Sequence, residues 1–167
     1  MHALSRMADK YPMTKKGLTT LKDELKHRKE VERFKIVRAI EEARAHGDLS
    51  ENAEYSAAKE AQSHNEGRIS KLEELIALAD VIDPTTLSGN KVVFGATVTV
   101  EDTDSGERQT FAIVGEHEGD IKSGKMSLTS PLARAMIGHR VGETVQVKTP
   151  RGNREYEIVT VKFLAIE

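Results

Sequence analysis

The chain has no cysteine and no tryptophan, and only 4% of its 167 residues are aromatic. Without cysteine there is no disulfide framework, no zinc ribbon and no thiol nucleophile. No apolar run approaches the roughly 18 residues of a membrane helix. The opening Met1-His2-Ala3-Leu4-Ser5-Arg6-Met7 lacks a charged stretch followed by an apolar one, so it makes a poor signal peptide. These absences lead to the expectation of a soluble cytoplasmic protein with no membrane partner. Proline is missing from Met13 to Asp83, so nothing there forces a helix to stop.

Charge is what the sequence has in quantity. Charged residues make up 31% of the chain, too many for one large core but ordinary for a helix pair bathed in solvent. The net charge of −2 argues against a protein that coats nucleic acid by charge alone. Yet Lys15 to Arg44 holds ten Lys and Arg against six Asp and Glu, a local basic excess.

From Thr14, Leu18, Leu21 and Leu25 form a helical stripe that falters at Lys26-His27-Arg28-Lys29-Glu30. It resumes with Val31, Phe34, Val37, Ile40 and Ala43, which predicts one helix to His46 of roughly 50 Å. After a turn, Ala58, Gln62, Asn65, Ile69, Leu72, Ile76 and Ala79 step by four and three as a heptad seam. The short connection makes the two helices antiparallel neighbours. Buried polar residues near the turn can fix register. Gly67 weakens the second helix by about 1 kcal/mol relative to alanine, with close packing the one reason suggested for it.

Beyond Asp83-Pro84 the period changes to two. Strands are predicted over 92–100, 109–114, 125–129, 143–148 and 155–166. Ser130 and Pro131 open a short helix that Gly138 stops. The expected architecture is α+β in two domains: a loose extension (1–12), a coiled-coil hairpin (13–83) with its tip at 46–55, a linker (84–90), and a compact antiparallel sheet domain (91–167).

Between the helices lies His46-Gly47-Asp48-Leu49-Ser50-Glu51-Asn52-Ala53-Glu54-Tyr55. Asp48 followed three residues later by Glu51 is close to a capping box, and spacing alone favours that reading. The alternative is metal chemistry. Paired carboxylates are hard ligands suited to Mg²⁺, but two cannot hold it unaided. Such a pair makes sense where another molecule completes the shell. His46 has no second His or Cys at ligand spacing, so zinc is not expected.

This tip closely resembles the signature of the bacterial Gre transcript-cleavage and elongation factors, GreA type. So do Pro12-Met13-Thr14 with Gly17, Glu66-Gly67-Arg68-Ile69, Phe94-Gly95-Ala96-Thr97-Val98 and Ser130-Pro131-Leu132-Ala133-Arg134-Ala135. The resemblance spans Pro12 to Leu164. It implies a monomer whose hairpin enters the secondary channel of RNA polymerase, while a C-terminal domain similar to FK506-binding proteins docks at the entrance. It implies that Asp48 and Glu51 share a catalytic Mg²⁺ with the polymerase, with no tightly bound cofactor, and that backtracked nascent RNA is cut at its 3′ end. The chain would then be an activator and not itself an enzyme.

Asn52 and Tyr55 match the signature as supports of the tip. Arg44 and Lys59 flank it and could meet RNA phosphates, although a solvated helix face explains them too. Ser130 and Pro131 match the docking loop of the family, and capping explains them equally well. Three positions depart from the family pattern. Phe34 replaces a common proline, so a bend expected there is absent. Arg28 replaces an apolar seam residue and is expected to weaken packing in mid-hairpin. Thr129 stands where GreB-type relatives carry an acid. Three rivals remain: a channel-blocking inhibitor that does not cleave, a prolyl isomerase built on Phe94, Phe111, Tyr156 and Phe163, and a plain coiled-coil interaction protein.

Overall fold

The computed structural model of the chain describes residues 10–48 and 52–166. Residues 1–9, most of the expected extension, and Glu51, an expected tip acid, lie outside the described residues. Contacts divide the chain into two units. One is Leu18–Leu78, and the other joins residues up to Gly17 with Ala79 onward.

The helical unit is an antiparallel pair. Its first arm is α1 (Lys15–His27), a five-residue π-helical turn (Arg28–Glu32) and α2 (Arg33–Arg44). His27, Glu32 and Arg33 all keep right-handed helical angles, so the backbone runs through without a break. Within the turn the Arg33 N–H donates to the Arg28 carbonyl, five residues back. The second arm is α3 (Ala53–Ala77), whose 25 residues span about 37 Å.

The π-turn sits where the apolar stripe falters. The predicted continuation through Val31, Phe34 and Val37 steps by threes, and each such step drifts about 60° around an α-helix. It cannot stay on a seam, and all three side chains are exposed. The buried side instead passes through Leu21, Leu25, Arg28, Glu32, Ile36, Ile40 and Ala43, which are buried or half-buried. Opposite them Ala58, Asn65, Ile69, Leu72 and Leu75 are buried. Ile76 is half-buried, and Ala79 has left the helix. Gly67 is exposed, and a methyl group there would meet nothing within 4 Å, so close packing does not account for it.

Arg28 does not loosen the middle of the pair. It donates from Nε to Glu24 Oε1 at 3.0 Å and from Nη1 to Asn65 Oδ1 at 3.1 Å. Asn65 Nδ2 returns a bond to the Arg28 carbonyl at 3.2 Å. Arg68 grips both oxygens of Glu24, each at 2.9 Å. Nearby, Arg33 forms a two-pronged pair with Glu66, both bonds 2.8 Å, and Lys29 reaches Glu73 at 2.8 Å. The result is a ladder of directional bonds that sets the register of the two arms.

The second unit begins with Tyr11–Met13 (β1), which pairs in parallel with Ala79–Val81 (β2). Tyr11 and Pro12 thus lie in a strand, although the sequence placed them in the extension. Thr14 follows, 3% exposed. Its N–H and hydroxyl both donate to the Glu118 carboxylate, and the Gly115 N–H donates to the same group. The Thr14 Oγ1 also accepts from the Gly17 N–H at 3.1 Å. Gly17 leaves room here: a Cβ would fall inside van der Waals contact with the Glu118 carboxyl, which would have to shift off its partners.

The sheet has strands Thr97–Asp102 (β3), Arg108–Val114 (β4), Lys125–Ser127 (β5), Thr144–Thr149 (β6) and Gly152–Lys162 (β7), in the order β5-β4-β3-β7-β6. Its first predicted strand starts five residues late because Gly95 takes φ +87 in a turn, a region glycine enters freely. The sheet is not wholly antiparallel, since β5 runs parallel to β4. Val98, Val100, Val145 and Val147 alternate inward. Val98, Val100 and Val145 share one core cluster with Ile113, Ile158 and, from the helix Pro131–Met136 (α4), Ala133 and Met136. Phe111, Tyr156 and Phe163 pack in or against this core, so three of the four aromatics proposed for an isomerase pocket are occupied in packing.

Two outcomes test these contacts. Hydrogen bonds from Arg68 and then Arg28 hold the Glu24 carboxyl down at about 2, against an ordinary 4.5. Its folded value lies below its unfolded one, so its contribution is complete above the unfolded value and is lost as pH falls toward 2. Chemical unfolding of the hairpin should show a loss on the order of 2 kcal/mol across that window, which Glu24→Gln abolishes. Gly17→Ala should lower the unfolding midpoint, costing about 1–2 kcal/mol net of improved helix propensity. In a Glu118→Ala background the same change should cost nothing.

Candidate functional site at the hairpin tip

The tip is built from the two helix ends that face each other across it. The first arm closes with the Ala45, His46 and Gly47 N–H groups donating to the carbonyls of Glu41, Ala43 and Arg44 at 3.3, 3.2 and 3.4 Å. Gly47 then takes φ +107, which turns the chain out of the helix at a conformation any side chain would resist. Asp48 follows, exposed to solvent. It borders an open depression together with His46, Asn52, Ala53 and Glu54.

The second arm starts at Asn52, not after Asp48. Asn52 has extended angles (φ −87, ψ 100), and its Oδ1 accepts from the Tyr55 N–H at 3.0 Å. This is N-capping in the ordinary sense, and it corrects the sequence-based assignment of the cap to Asp48. The Asn52 Nδ2 crosses the tip and donates to the Ala43 carbonyl at 2.7 Å. One side chain therefore bonds to both arms.

The remaining tip residues are placed as follows. Tyr55 is the third residue of α3 and half-buried. Glu54 lies in the first turn of α3, at the positive end of the helix dipole. Its Oε2 is 3.8 Å from His46 Nε2, with both side chains more than half exposed, a pair of small energetic weight. Arg44 closes α2 and is exposed, and Lys59, in the second turn of α3, donates to Gln62 Oε1 at 3.1 Å. Among the described residues no group of three or more His, Asp or Glu side chains is placed to hold a metal by itself. The Asp48 carboxylate is a hard donor of the kind Mg²⁺ takes one or two of.

Ser130 and Pro131 lie in the other unit. Ser130 caps α4, accepting from the Ala133 N–H at 3.2 Å, and Pro131 occupies its first turn. Pro131 is exposed. The sequence reading missed Glu118, whose partner Thr14 lies 104 residues away, and it left Asn52 without a stated geometry.

Similarity to known proteins agrees with this architecture along nearly the whole chain. Residues 11–81 match the family described as "Transcription elongation factor, N-terminal". Residues 87–163 match "Transcription elongation factor, GreA/GreB, C-term". Transcription elongation factor GreA of Anaeromyxobacter sp. (strain K) is 62% identical over 156 residues, 93% of this chain and 94% of its own. The protein of that name from Mesorhizobium japonicum is 58% identical, covering 93% of this chain and 99% of its own. Among solved structures, GreA factor homolog 1 of Thermus thermophilus is 29% identical, with a TM-score of 0.41, over 91% of this chain and 98% of its own. With two matched halves in order and relatives well above half identical, this chain belongs to the GreA/GreB family of transcription elongation factors.

Proposed function

We propose that this chain stimulates RNA polymerase to cleave backtracked nascent RNA, with Asp48 and Glu51 working inside the polymerase active centre. The observation that carries the reading is the exposed Asp48 carboxylate at the turn of a long two-helix hairpin, next to an open depression. A charged group at the end of such an arm is suited to delivery into another protein's cleft.

Asp48 and Glu51 offer two carboxylates at most, fewer ligands than an octahedral Mg²⁺ shell requires. The polymerase and the RNA phosphates would supply the rest. Magnesium held there supplies Lewis-acid help to the attacking water and the leaving oxygen. The chain's own residues position: Asn52 and the helix ends hold the turn, at which Asp48 stands exposed. Arg44 and Lys59, one on each arm near the tip, add positive charge where an RNA phosphate would lie. The chain is then an activator of the polymerase and has no nuclease site of its own. Ser130 and Pro131 belong to the surface that docks on the polymerase.

Stalled, backtracked complexes test this. Asp48→Asn and Glu51→Gln should each slow RNA release by about 100-fold or more, the scale for loss of a preorganised electrostatic group, with polymerase binding retained. Cleavage at the parent rate by both variants would overturn the metal-handling role. A parent protein that slows elongation and releases no RNA would instead be a channel-blocking inhibitor. On the docking side, Ser130→Ala should cost about 1 kcal/mol through the lost cap, whereas Ser130→Asp keeps the cap. Polymerase affinity should fall in both, and unchanged affinity in Ser130→Asp would remove that hydroxyl from the docking surface.

A further inference from the structure

We propose that Asn52 is the positioning residue of the tip: its amide ties the last turn of α2 to the first turn of α3 and so fixes where Asp48 stands. The inference rests on the reading of Asp48 given above and adds how the hairpin holds that carboxylate in place.

The geometry divides the two functions of one amide between its two atoms. The Oδ1 accepts from the Tyr55 N–H at 3.0 Å and starts α3. The Nδ2 donates to the Ala43 carbonyl at 2.7 Å, nine residues earlier in the chain. Ala43 is 2% exposed and belongs to the seam, so that carbonyl is anchored in the packed part of the hairpin. It also accepts from the His46 N–H at 3.2 Å, and helix-end carbonyls of this kind need such partners. The backbone of Asn52 is held too, since the Ser56 N–H donates to its carbonyl at 3.1 Å. Asp48 therefore lies in the chain between two backbone points, Ala43 and Asn52, that one side chain bridges. Gly47, at φ +107, gives that stretch its only turn into the left-handed region among the described residues of the tip. Without the bridge, the two helix ends on either side of the glycine lose a bond that ties them across the tip.

No other common side chain does both jobs. Aspartate and serine cap a helix well. A carboxylate has no proton for the Ala43 carbonyl, and a serine hydroxyl is too short to span from one arm to the other while capping. The cap alone would be met by several residues, so the bridge is what selects an amide.

Asn52→Ser separates the two roles, because the cap survives and no charge is added beside Asp48. Asn52→Ala removes both. In Asn52→Ser, RNA release from backtracked complexes should slow by about 10- to 100-fold, the scale of an ångström-sized misplacement. The Mg²⁺ concentration giving half-maximal cleavage should rise, while affinity for polymerase stays at the parent value. Amide hydrogen exchange in the protein alone should quicken at His46 and Gly47 and stay slow at Tyr55. In Asn52→Ala it should quicken at Tyr55 as well. Parent cleavage and Mg²⁺ dependence in Asn52→Ser would overturn the proposal, as would unchanged exchange at His46, or a cleavage defect matched by an equal loss of polymerase affinity. Asp48→Asn, run alongside, distinguishes the two failures. If it cuts normally the reading of the tip fails, and if it is dead while Asn52→Ser is normal only the bridge fails.

Discussion

An antiparallel helix pair has one seam to hold it, and in this chain the middle of that seam is ionic. Glu24, Arg28, Asn65 and Arg68 occupy the positions where aliphatic side chains would interdigitate. Apolar packing is confined to the two ends, around Leu72 and Leu75 on one side and Ile40, Ala43 and Ala58 on the other. Apolar contacts tolerate sliding, whereas two-pronged guanidinium–carboxylate bonds do not. The ladder thus trades some stability for a defined register. Register is what an arm that presents a group at its tip needs most, because a slip of one helical turn would move that group by roughly 5 Å.

The π-turn belongs to the same solution. It adds a residue to the first arm just where Arg28 and Glu32 face inward, and it brings Ile36, Ile40 and Ala43 back onto the buried side. Val31, Phe34 and Val37 step by threes, drift off that side and stay exposed. Phe34 is instead left outside, with the Arg38 guanidinium 5.7 Å from its ring centre, a contact of modest strength at an exposed site.

Much of this was legible beforehand. The turn at Gly47, the two arms, the change of period after Pro84 and the Ser130–Pro131 helix start all follow from local chemistry, and the structure places them as expected. Asn65 as a buried polar residue that fixes register was also readable. The parts that were not readable share a cause. Asp48, Ser50 and Asn52 are equally good cap residues by type, and only the bond to Ala43 across the tip favours Asn52. The π-turn depends on partners on the other arm. Glu118 is tied to Thr14 over 104 residues, with no local pattern to announce it. The parallel pairing of β5 with β4 is likewise a tertiary outcome of a three-residue strand.

The short ribbon of β1 and β2 has a further consequence. Parallel strands of three residues do not persist unaided, and Met13 and Ala79 flank the whole hairpin in the chain. Bringing them together from a disordered chain would cost a long loop closure. A folded hairpin removes most of that cost, because it returns the chain to near its starting point. The ribbon, the Ile82 N–H bond to the Met13 carbonyl and the setting of Thr14 beside Glu118 therefore all depend on the helices being paired. Loosening the hairpin along its length therefore lengthens the loop that the ribbon has to close.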